Sequence, residues 1–137
     1  MKAVNIVLIE DDVDDVDILQ EALKDRKIPF EMRVIRDGSA AVEYIRSTTE
    51  QPEIIVMDFN LPRVHGREVV HKIRSTERFR KIPILILSTS SLEADIDYAY
   101  QAGASKYLVK PATLEAITET VETILRLTGR TIVSPTR

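Results

Sequence analysis

The stretch VNIVLIEDDVDD, residues 4–15, decides the fold. Its apolar first half, VNIVLI, is typical of a strand that is buried on both faces of a parallel sheet. The run ends directly in Glu10, Asp11 and Asp12. Like charges repel, so three adjacent carboxylates at the end of a buried strand lower stability unless a positive group lies beside them. We therefore expect a cation at this strand end.

Strand-like apolar runs alternate with stretches whose apolar residues have helical spacing. The runs predicted as strands are residues 3–9, 32–35, 54–57, 82–87 and 107–109, and the second of them is expected at an edge because it is the weakest. Helices are predicted around residues 16–23, 41–45, 69–73, 96–100 and 114–125. Five repeats of strand and helix predict an α/β fold, a doubly wound parallel sheet.

Composition narrows the possible functions. The chain has 137 residues, the size of one domain, and a net charge of −3, which does not favour nucleic acid as a partner. It contains no cysteine, which excludes disulfides and thiolate ligands and fits a cytoplasmic location. No apolar run approaches the ~20 residues of a membrane span, so we expect no membrane partner.

Side chains capable of chemistry follow four of the predicted strands. They are Glu10 and Asp11 after the first strand, Asp58 after the third, Ser88 and Thr89 after the fourth, and Lys110 after the fifth. In a parallel sheet all carboxyl ends lie on one edge, where ligands bind at the topological switch point. We therefore expect these residues to converge in one cleft.

The expected cleft has the chemistry of phosphoryl transfer. The carboxylates of Glu10, Asp11 and Asp58 are the hard oxygen ligands that Mg²⁺ prefers, and no histidine joins them to favour zinc. A carboxylate can also act as a nucleophile and form an aspartyl phosphate. Lys110 would place a positive charge at the phosphoryl group, and Ser88 would donate a hydrogen bond to it. Mg²⁺ and Lys110 together would then neutralise the acids of the first strand end.

Four segments resemble the signatures of the response regulator receiver domain. They are LIEDD, IIVMDFNLPRVHGRE, IPILILSTS and AGASKYLVKP, and the resemblance covers about residues 4–127. The words FNLPRVHGRE and LILSTS are also similar to the LNLP…GRE and VVLTTS of a subgroup, small single-domain regulators paired with phytochrome-type sensor kinases. The resemblance implies a flavodoxin-like five-stranded sheet of order 2-1-3-4-5 with five helices, in a three-layer sandwich.

The resemblance also implies a role for each site residue. Asp58 is the phospho-acceptor, and the metal is held by Glu10, Asp11, Asp58 and the backbone carbonyl of Asn60. The phosphate-binding and switch residues are Ser88, Thr89, Lys110 and Tyr107, of which Tyr107 is the aromatic residue that turns inward on activation. A cis Lys110–Pro111 peptide bond is implied as well. Ser88 stands where threonine is common in the family, which keeps the hydroxyl.

The function that follows is a stand-alone response regulator, not an enzyme beyond its own phosphorylation and dephosphorylation. A sensor histidine kinase would be its partner and Mg²⁺ its cofactor. One alternative is a Mg²⁺-dependent phosphohydrolase of the haloacid-dehalogenase type, although Asn60 stands where that class typically has a second aspartate. The other alternative is a receiver-like binding module that is never phosphorylated.

Several residues also have structural interpretations. Asp12, Asp14, Asp15 and Asp17 are interpreted as a solvated helix start, which acidic residues favour through the helix dipole. Tyr107 could simply pack in the core.

The end of the chain suggests self-association. We expect residues 1–128 to form the receiver domain and 129–137 a tail that carries apolar residues beyond the complete domain. The last helix and the tail would pack on a second copy in a two-fold homodimer, through Leu114, Ile117, Val121, Ile124, Leu127, Ile132 and Val133. The alternative is a tail that folds back on its own helix.

Overall fold

Strands and helices alternate along the chain in a computed structural model that describes residues 2–130. The strands are β1 (Val4–Ile9), β2 (Phe30–Ile35), β3 (Ile54–Met57), β4 (Ile84–Ser88) and β5 (Lys106–Val109). The helices are α1 (Val13–Asp25), α2 (Gly38–Ser47), α3 (Gly66–Ser75), α4 (Glu93–Ala102) and α5 (Leu114–Leu127), with a 3₁₀ turn at Glu77–Phe79. All strand pairs are parallel, in the order β2-β1-β3-β4-β5. The predicted fold class and strand order are confirmed.

Two apolar layers enclose the sheet. On one face Val7, Ile55 and Ile84 pack in a cluster with residues of α2, α3 and α4. On the other face Ile6 and Val56 pack in a cluster with residues of α1 and α5. Because β1, β3 and β4 are covered on both sides, their sequences are almost entirely apolar, with Asn5 of β1 and Ser88 of β4 as the exceptions. The less buried β2 and β5 are the two outer strands of the sheet.

Local signals set the helix ends nearest the carboxyl edge of the sheet. Asp12 caps α1 with its carboxylate, which accepts hydrogen bonds from the backbone N–H groups of Asp14 and Asp15. The imidazole of His65 caps α3 in the same way. At the opposite end of a helix, Gly103, with a φ of 124°, ends α4, since this conformation strains residues with a side chain. The two N-caps, Asp12 and His65, thus fix the first turns of α1 and α3, the helices that begin beyond the carboxyl ends of β1 and β3.

Two expectations are corrected. Within the described residues there is no cis peptide bond, so Lys110–Pro111 is trans and the cis bond implied by the family resemblance is wrong here. Val121 and Ile124 are 0% exposed in the core against β1, so they have no surface to offer to a second copy. Ile132 and Val133 lie outside the described residues.

None of the helices within residues 2–130 combines the length and the apolar character needed to cross a bilayer.

Candidate functional site

The carboxyl edge of the sheet brings three acids together. β1 and β3 are neighbours and Ile9 pairs with Met57, so the residues that follow these two strands lie side by side. The backbone N–H of Asp58 donates to the carbonyl of Ile9 at 3.0 Å. Carboxylate oxygens of Glu10, Asp11 and Asp58 lie within 4.8 Å of one another. The predicted convergence of the acids is confirmed.

Lys110 reaches this cluster from β5. Its Nζ lies 2.7 Å from Asp15 Oδ2, 3.0 Å from Glu10 Oε1 and 3.1 Å from Asp58 Oδ2. The contacts with Asp15 and Asp58 are hydrogen bonds, and the contact with Glu10 is an ion pair. The backbone N–H of Lys110 donates to the carbonyl of Ser88 at 2.7 Å, which fixes the start of the loop after β5. The chain therefore supplies part of the positive charge that the first strand end requires.

The charges in the cleft remain unbalanced. Burial raises the pKa of Glu10, and the contact with Lys110 offsets this only in part. Burial also pulls the pKa of Lys110 down, but contacts with Asp15, Glu10 and Asp58 outweigh it and hold that pKa above its usual range. Three carboxylates contact the one ammonium of Lys110, and the carboxylate of Asp11 adds a fourth negative charge beside Glu10 and Asp58. The donor set, all carboxylate oxygen, fits a divalent cation such as Mg²⁺ or Mn²⁺.

Of the other predicted site residues, Asn60 contacts Asp58 directly, and Ser88 and Thr89 lie at the end of β4. The backbone N–H of Asn60 donates to Asp58 Oδ1 at 3.0 Å, while Lys110 bonds to Oδ2, so both oxygens of this carboxylate are oriented. Ser88 is buried at the end of β4, and its Oγ accepts from the backbone N–H of Ser90 at 3.2 Å. Asn60 and Thr89 are exposed beside the cleft. All these residues thus lie at or just beyond strand ends on the same edge of the sheet.

Tyr107 lies inside the fold. Its ring belongs to the core cluster and its hydroxyl donates to the carbonyl of Ser90 at 2.8 Å. Its backbone N–H donates to the hydroxyl of Tyr100 at 3.0 Å. The inward orientation is the one that the family resemblance associates with activation, and plain core packing also accounts for it.

Asp15 is the site residue that the sequence interpretation missed. It was assigned to a solvated helix start, yet its carboxylate makes the shortest contact of the Lys110 ammonium. The available signal was the cap, because Asp12 as the N-cap places Asp15 on the first turn of α1, next to the strand ends. The interpretation holds for Asp14 and Asp17, which are exposed.

Comparison with known proteins agrees with the family resemblance of the sequence motifs. The family model described as the response regulator receiver domain matches residues 6–122. The chain is 33% identical over 135 residues to response regulator Rcp1 of Synechocystis sp., which covers 95% of this chain and 92% of Rcp1. It is also 33% identical over 123 residues to the probable methanogenesis regulatory protein FilR2 of Methanothrix harundinacea, covering 87% of this chain and 79% of FilR2.

Solved structures are similar over nearly the whole chain. The phosphorylated cyanobacterial phytochrome response regulator RcpA has a TM-score of 0.83 and 34% identity, covering 98% of this chain and 100% of RcpA. The Mn²⁺-bound form of Rcp1 has a TM-score of 0.80 and 31% identity, covering 96% and 99% of the two chains. Together with the acidic cluster and the parallel sheet, these matches show that the chain belongs to the response regulator receiver domain family, signalling phospho-acceptors whose partners are histidine kinases.

Proposed function

We propose that the chain is a stand-alone receiver in which Asp58 accepts a phosphoryl group from a phosphohistidine of a sensor histidine kinase. The observation that carries the proposal is the pairing of Lys110 Nζ with Asp58 Oδ2 at 3.1 Å, in a cleft where Glu10 and Asp11 complete a divalent-cation site. No other aspartate within residues 2–130 combines this burial, a lysine and two neighbouring acids.

The chemistry needs a nucleophile and positive charge around the phosphoryl group. An oxygen of Asp58 attacks the phosphorus, the P–N bond breaks, and its electron pair leaves with the imidazole. The N–H of Asn60 holds Asp58 Oδ1, and Lys110 lies where it can bond a phosphoryl oxygen. Mg²⁺ held by Glu10, Asp11, Asp58 and the carbonyl of Asn60 would neutralise negative charge on the phosphoryl oxygens.

The phosphorylated state would be transmitted through β4 and β5. The phosphoryl group adds about 1.5–2 negative charges, which draw Lys110 and the Ser88 hydroxyl toward Asp58. Thr89 follows Ser88 on the same loop, and the hydrogen bond from Tyr107 to the carbonyl of Ser90 joins that loop to β5. The face formed by α4, β5 and α5 would then change its surface, a distant readout of a local electrostatic event.

Intact mass after incubation with Mg²⁺ and acetyl phosphate tests the assignment of Asp58. We expect a gain of one phosphoryl group, absent in Asp58→Asn and retained in the matched control Asp37→Asn, because Asp37 caps α2 and is not part of the cleft. Labelling of Asp58→Asn would overturn the assignment. Repeated turnover of phosphate esters would instead favour the phosphohydrolase, and no labelling at all the unphosphorylated binding module.

The kinase partner is proposed to be of the phytochrome type, and the chain to act in the cytoplasm, where the kinase domain of such a sensor has ATP. The support is the likeness to RcpA, which is a phytochrome response regulator, at 34% identity over nearly the full length of both chains. Competition between a phytochrome-type kinase and a chemotaxis kinase for transfer to this chain tests the partner. Faster transfer from the chemotaxis kinase would contradict it.

A two-fold homodimer through α5 and the tail of residues 129–137 is also proposed, with residues 1–128 as the receiver domain. The support is Leu114, which is 77% exposed, together with the partly buried Ile117 and Leu127 on the same helix. The apolar Ile132 and Val133 would add to this surface. Val121 and Ile124 would contribute only indirectly, by packing α5 against the sheet.

Sedimentation of the full chain, of a chain ending after Arg130 and of Leu114→Glu tests the dimer. Ending after Arg130 keeps the ion pair between Arg130 and Glu53, so the shortened chain retains that fold contact. We expect a dimer only in the full chain with Leu114 intact. A monomeric full chain, with and without a phosphoryl analogue, would remove the proposal, and a tail folded back on its own helix would then be the better description.

A further inference from the structure

We propose that Asp15 is a positioning residue that holds Lys110 in the resting state and competes for it with a phosphoryl group on Asp58. The inference rests on the proposed role of Asp58. It assigns Asp15 a part in setting how readily the resting state gives way to the phosphorylated one.

The contact between Asp15 and Lys110 is the shortest of the three that the ammonium makes. Asp15 Oδ2 lies 2.7 Å from Nζ, against 3.0 Å for Glu10 and 3.1 Å for Asp58. The Lys110 side chain is 14% exposed and that of Asp15 32%, so the pair is shielded better than an ordinary surface pair. Asp15 is also held in place, because its backbone N–H donates to the capping carboxylate of Asp12 at 3.3 Å.

Asp15 differs from the other two partners of Lys110 in one respect. Glu10 and Asp58 belong to the group of carboxylates close enough together to bind a cation, whereas Asp15 does not. A divalent cation on Glu10 and Asp58 repels the ammonium and shares their oxygens, so both contacts with Lys110 weaken. The contact with Asp15 is not shared in this way, and it keeps Lys110 beside the cleft.

A phosphoryl group on Asp58 would compete with Asp15 for the ammonium of Lys110. In the resting arrangement the Lys110 ammonium donates hydrogen bonds to Asp15 and Asp58 and lies 3.0 Å from Glu10 Oε1, so three carboxylates surround it. A bond to a phosphoryl oxygen requires that one of these contacts be given up or lengthened. The shortest of them, to Asp15, therefore opposes the movement of Lys110 toward the phosphoryl group.

The chain offers a matched pair of substitutions for testing this competition. Asp15→Asn removes the charge that holds Lys110. Asp14→Asn removes the same charge one residue earlier on the same turn of α1, where the side chain is exposed and Lys110 is not a partner. Asp15→Glu keeps a carboxylate at this position, on a side chain longer by one methylene. The difference between the two asparagine variants separates the contact from the general loss of negative charge.

Two measurements report on the contact. The first is the affinity for beryllofluoride, a phosphoryl mimic, at saturating Mg²⁺, followed by ¹⁹F NMR. We expect Asp15→Asn to bind on the order of 5-fold tighter than Asp14→Asn, which corresponds to about 1 kcal/mol, and Asp15→Glu to return toward the unchanged protein. The second is the ¹⁵N signal of the Lys110 ammonium in metal-free protein, which we expect to shift in Asp15→Asn and not in Asp14→Asn.

The outcomes distinguish this inference from the function on which it rests. Equal beryllofluoride affinities and equal Lys110 signals in the two asparagine variants would overturn the role of Asp15 while the unchanged protein still binds the mimic. An unchanged protein that binds no beryllofluoride, or Asp58→Asn that binds it equally well, would overturn the proposed function of Asp58 and the role of Asp15 with it.

Discussion

The two edges of the sheet carry opposite charge arrangements. At the carboxyl edge, three carboxylates contact the ammonium of Lys110, and the carboxylate of Asp11 lies close to two of them. At the amino edge, Arg130 meets Glu53 one to one, with Nη1 to Oε2 at 2.8 Å and Nη2 to Oε1 at 3.1 Å. Glu53 also accepts from the backbone N–H of Asn5 at 3.0 Å, so this pair ties the end of α5 to the starts of β1 and β3.

The difference shows how one sheet separates stability from function. A balanced bidentate pair needs nothing from solution, and it fastens the last helix to the sheet. An unbalanced cluster leaves a demand for positive charge that a cation can satisfy. Opposite charges are paired at the amino edge, whereas negative charge is in excess at the carboxyl edge. Unpaired charge of this kind is expected mainly at functional sites.

Lys110→Ala should have the largest effect on the carboxyl edge. Without Mg²⁺ the free energy of unfolding should fall by about 3 kcal/mol, because Glu10 and Asp58 lose their positive partner in a buried position. Mg²⁺ should still bind and should recover much of the loss, since lysine supplies no ligand oxygen. Phosphorylation should no longer change the face of α4, β5 and α5. Urea unfolding with and without Mg²⁺ measures the first effect, and amide NMR shifts measure the second.

The exposed Lys106 on β5 supplies the control for this substitution. Lys106→Ala should leave both readouts unchanged. A Lys110→Ala protein with full stability in the absence of Mg²⁺, or with the full phosphorylation-dependent NMR change, would contradict the role given to Lys110.

Asp11→Asn should sharpen the comparison, because it removes a like charge and a cation ligand together. Asp11 is exposed, so the metal-free fold should lose no stability. The affinity for Mg²⁺ should fall roughly tenfold, the effect of about 1.4 kcal/mol of lost attraction. Isothermal titration with Mg²⁺ measures it, with Asp14→Asn as the control for general charge. Equal affinities in these two variants would place the cation elsewhere.

Arg130→Ala should affect the amino edge alone. The free energy of unfolding should fall by about 1 kcal/mol, since the pair is bidentate but Glu53 is partly exposed. Arg126→Ala, a change of an exposed side chain near the end of α5, should have less effect. Neither variant should alter labelling by acetyl phosphate. A loss of labelling in Arg130→Ala would mean that the two edges are coupled and that stability and function are not separated.

The free energy of unfolding should depend on pH differently at the two edges, and these are the smallest of the expected effects. The hydrogen bond from Arg130 lowers the pKa of Glu53, so its contribution to stability is present above the unfolded value of about 4.3 and is lost as pH falls through the lowered pKa. The pKa of Lys110 is raised, so its contribution is present below about 10.4 and is lost as pH rises through the raised pKa. The free energy of unfolding is measured against pH for Glu53→Gln and for the unchanged protein. The difference between the two should be smaller at low pH than at neutral pH. A constant difference would contradict the assignment.

The fold could be predicted because its signals are local. Continuous apolar runs identify strands covered on both faces, and their alternation with helices leaves few topologies. The cluster of Glu10, Asp11 and Asp58 could be predicted for a related reason, since parallel strands end at one edge. Its composition then follows from reading one or two residues past each strand.

Contacts between distant side chains could not be predicted in the same way. Asp15 and Lys110 are separated by 95 residues, and Glu53 and Arg130 by 77. Both contacts depend on how a helix is rotated against the sheet, for which the sequence gives only the apolar stripe. The same stripe cannot distinguish packing on the chain's own sheet from packing on a second copy, which is why Val121 and Ile124 were assigned to the wrong surface.

The dependence of stability on Mg²⁺ tests most directly whether the carboxyl edge is a cation site that the chain leaves unbalanced. Urea unfolding is measured over a range of MgCl₂ at constant ionic strength, for the unchanged protein, Asp11→Asn and Arg130→Ala. We expect the unchanged protein to gain about 1.4 kcal/mol at a Mg²⁺ concentration ten times its Kd. Arg130→Ala should gain the same amount from a lower starting stability, and Asp11→Asn much less. No gain in stability for the unchanged protein, or an equal gain for Asp11→Asn, would contradict a cation site at the carboxyl edge.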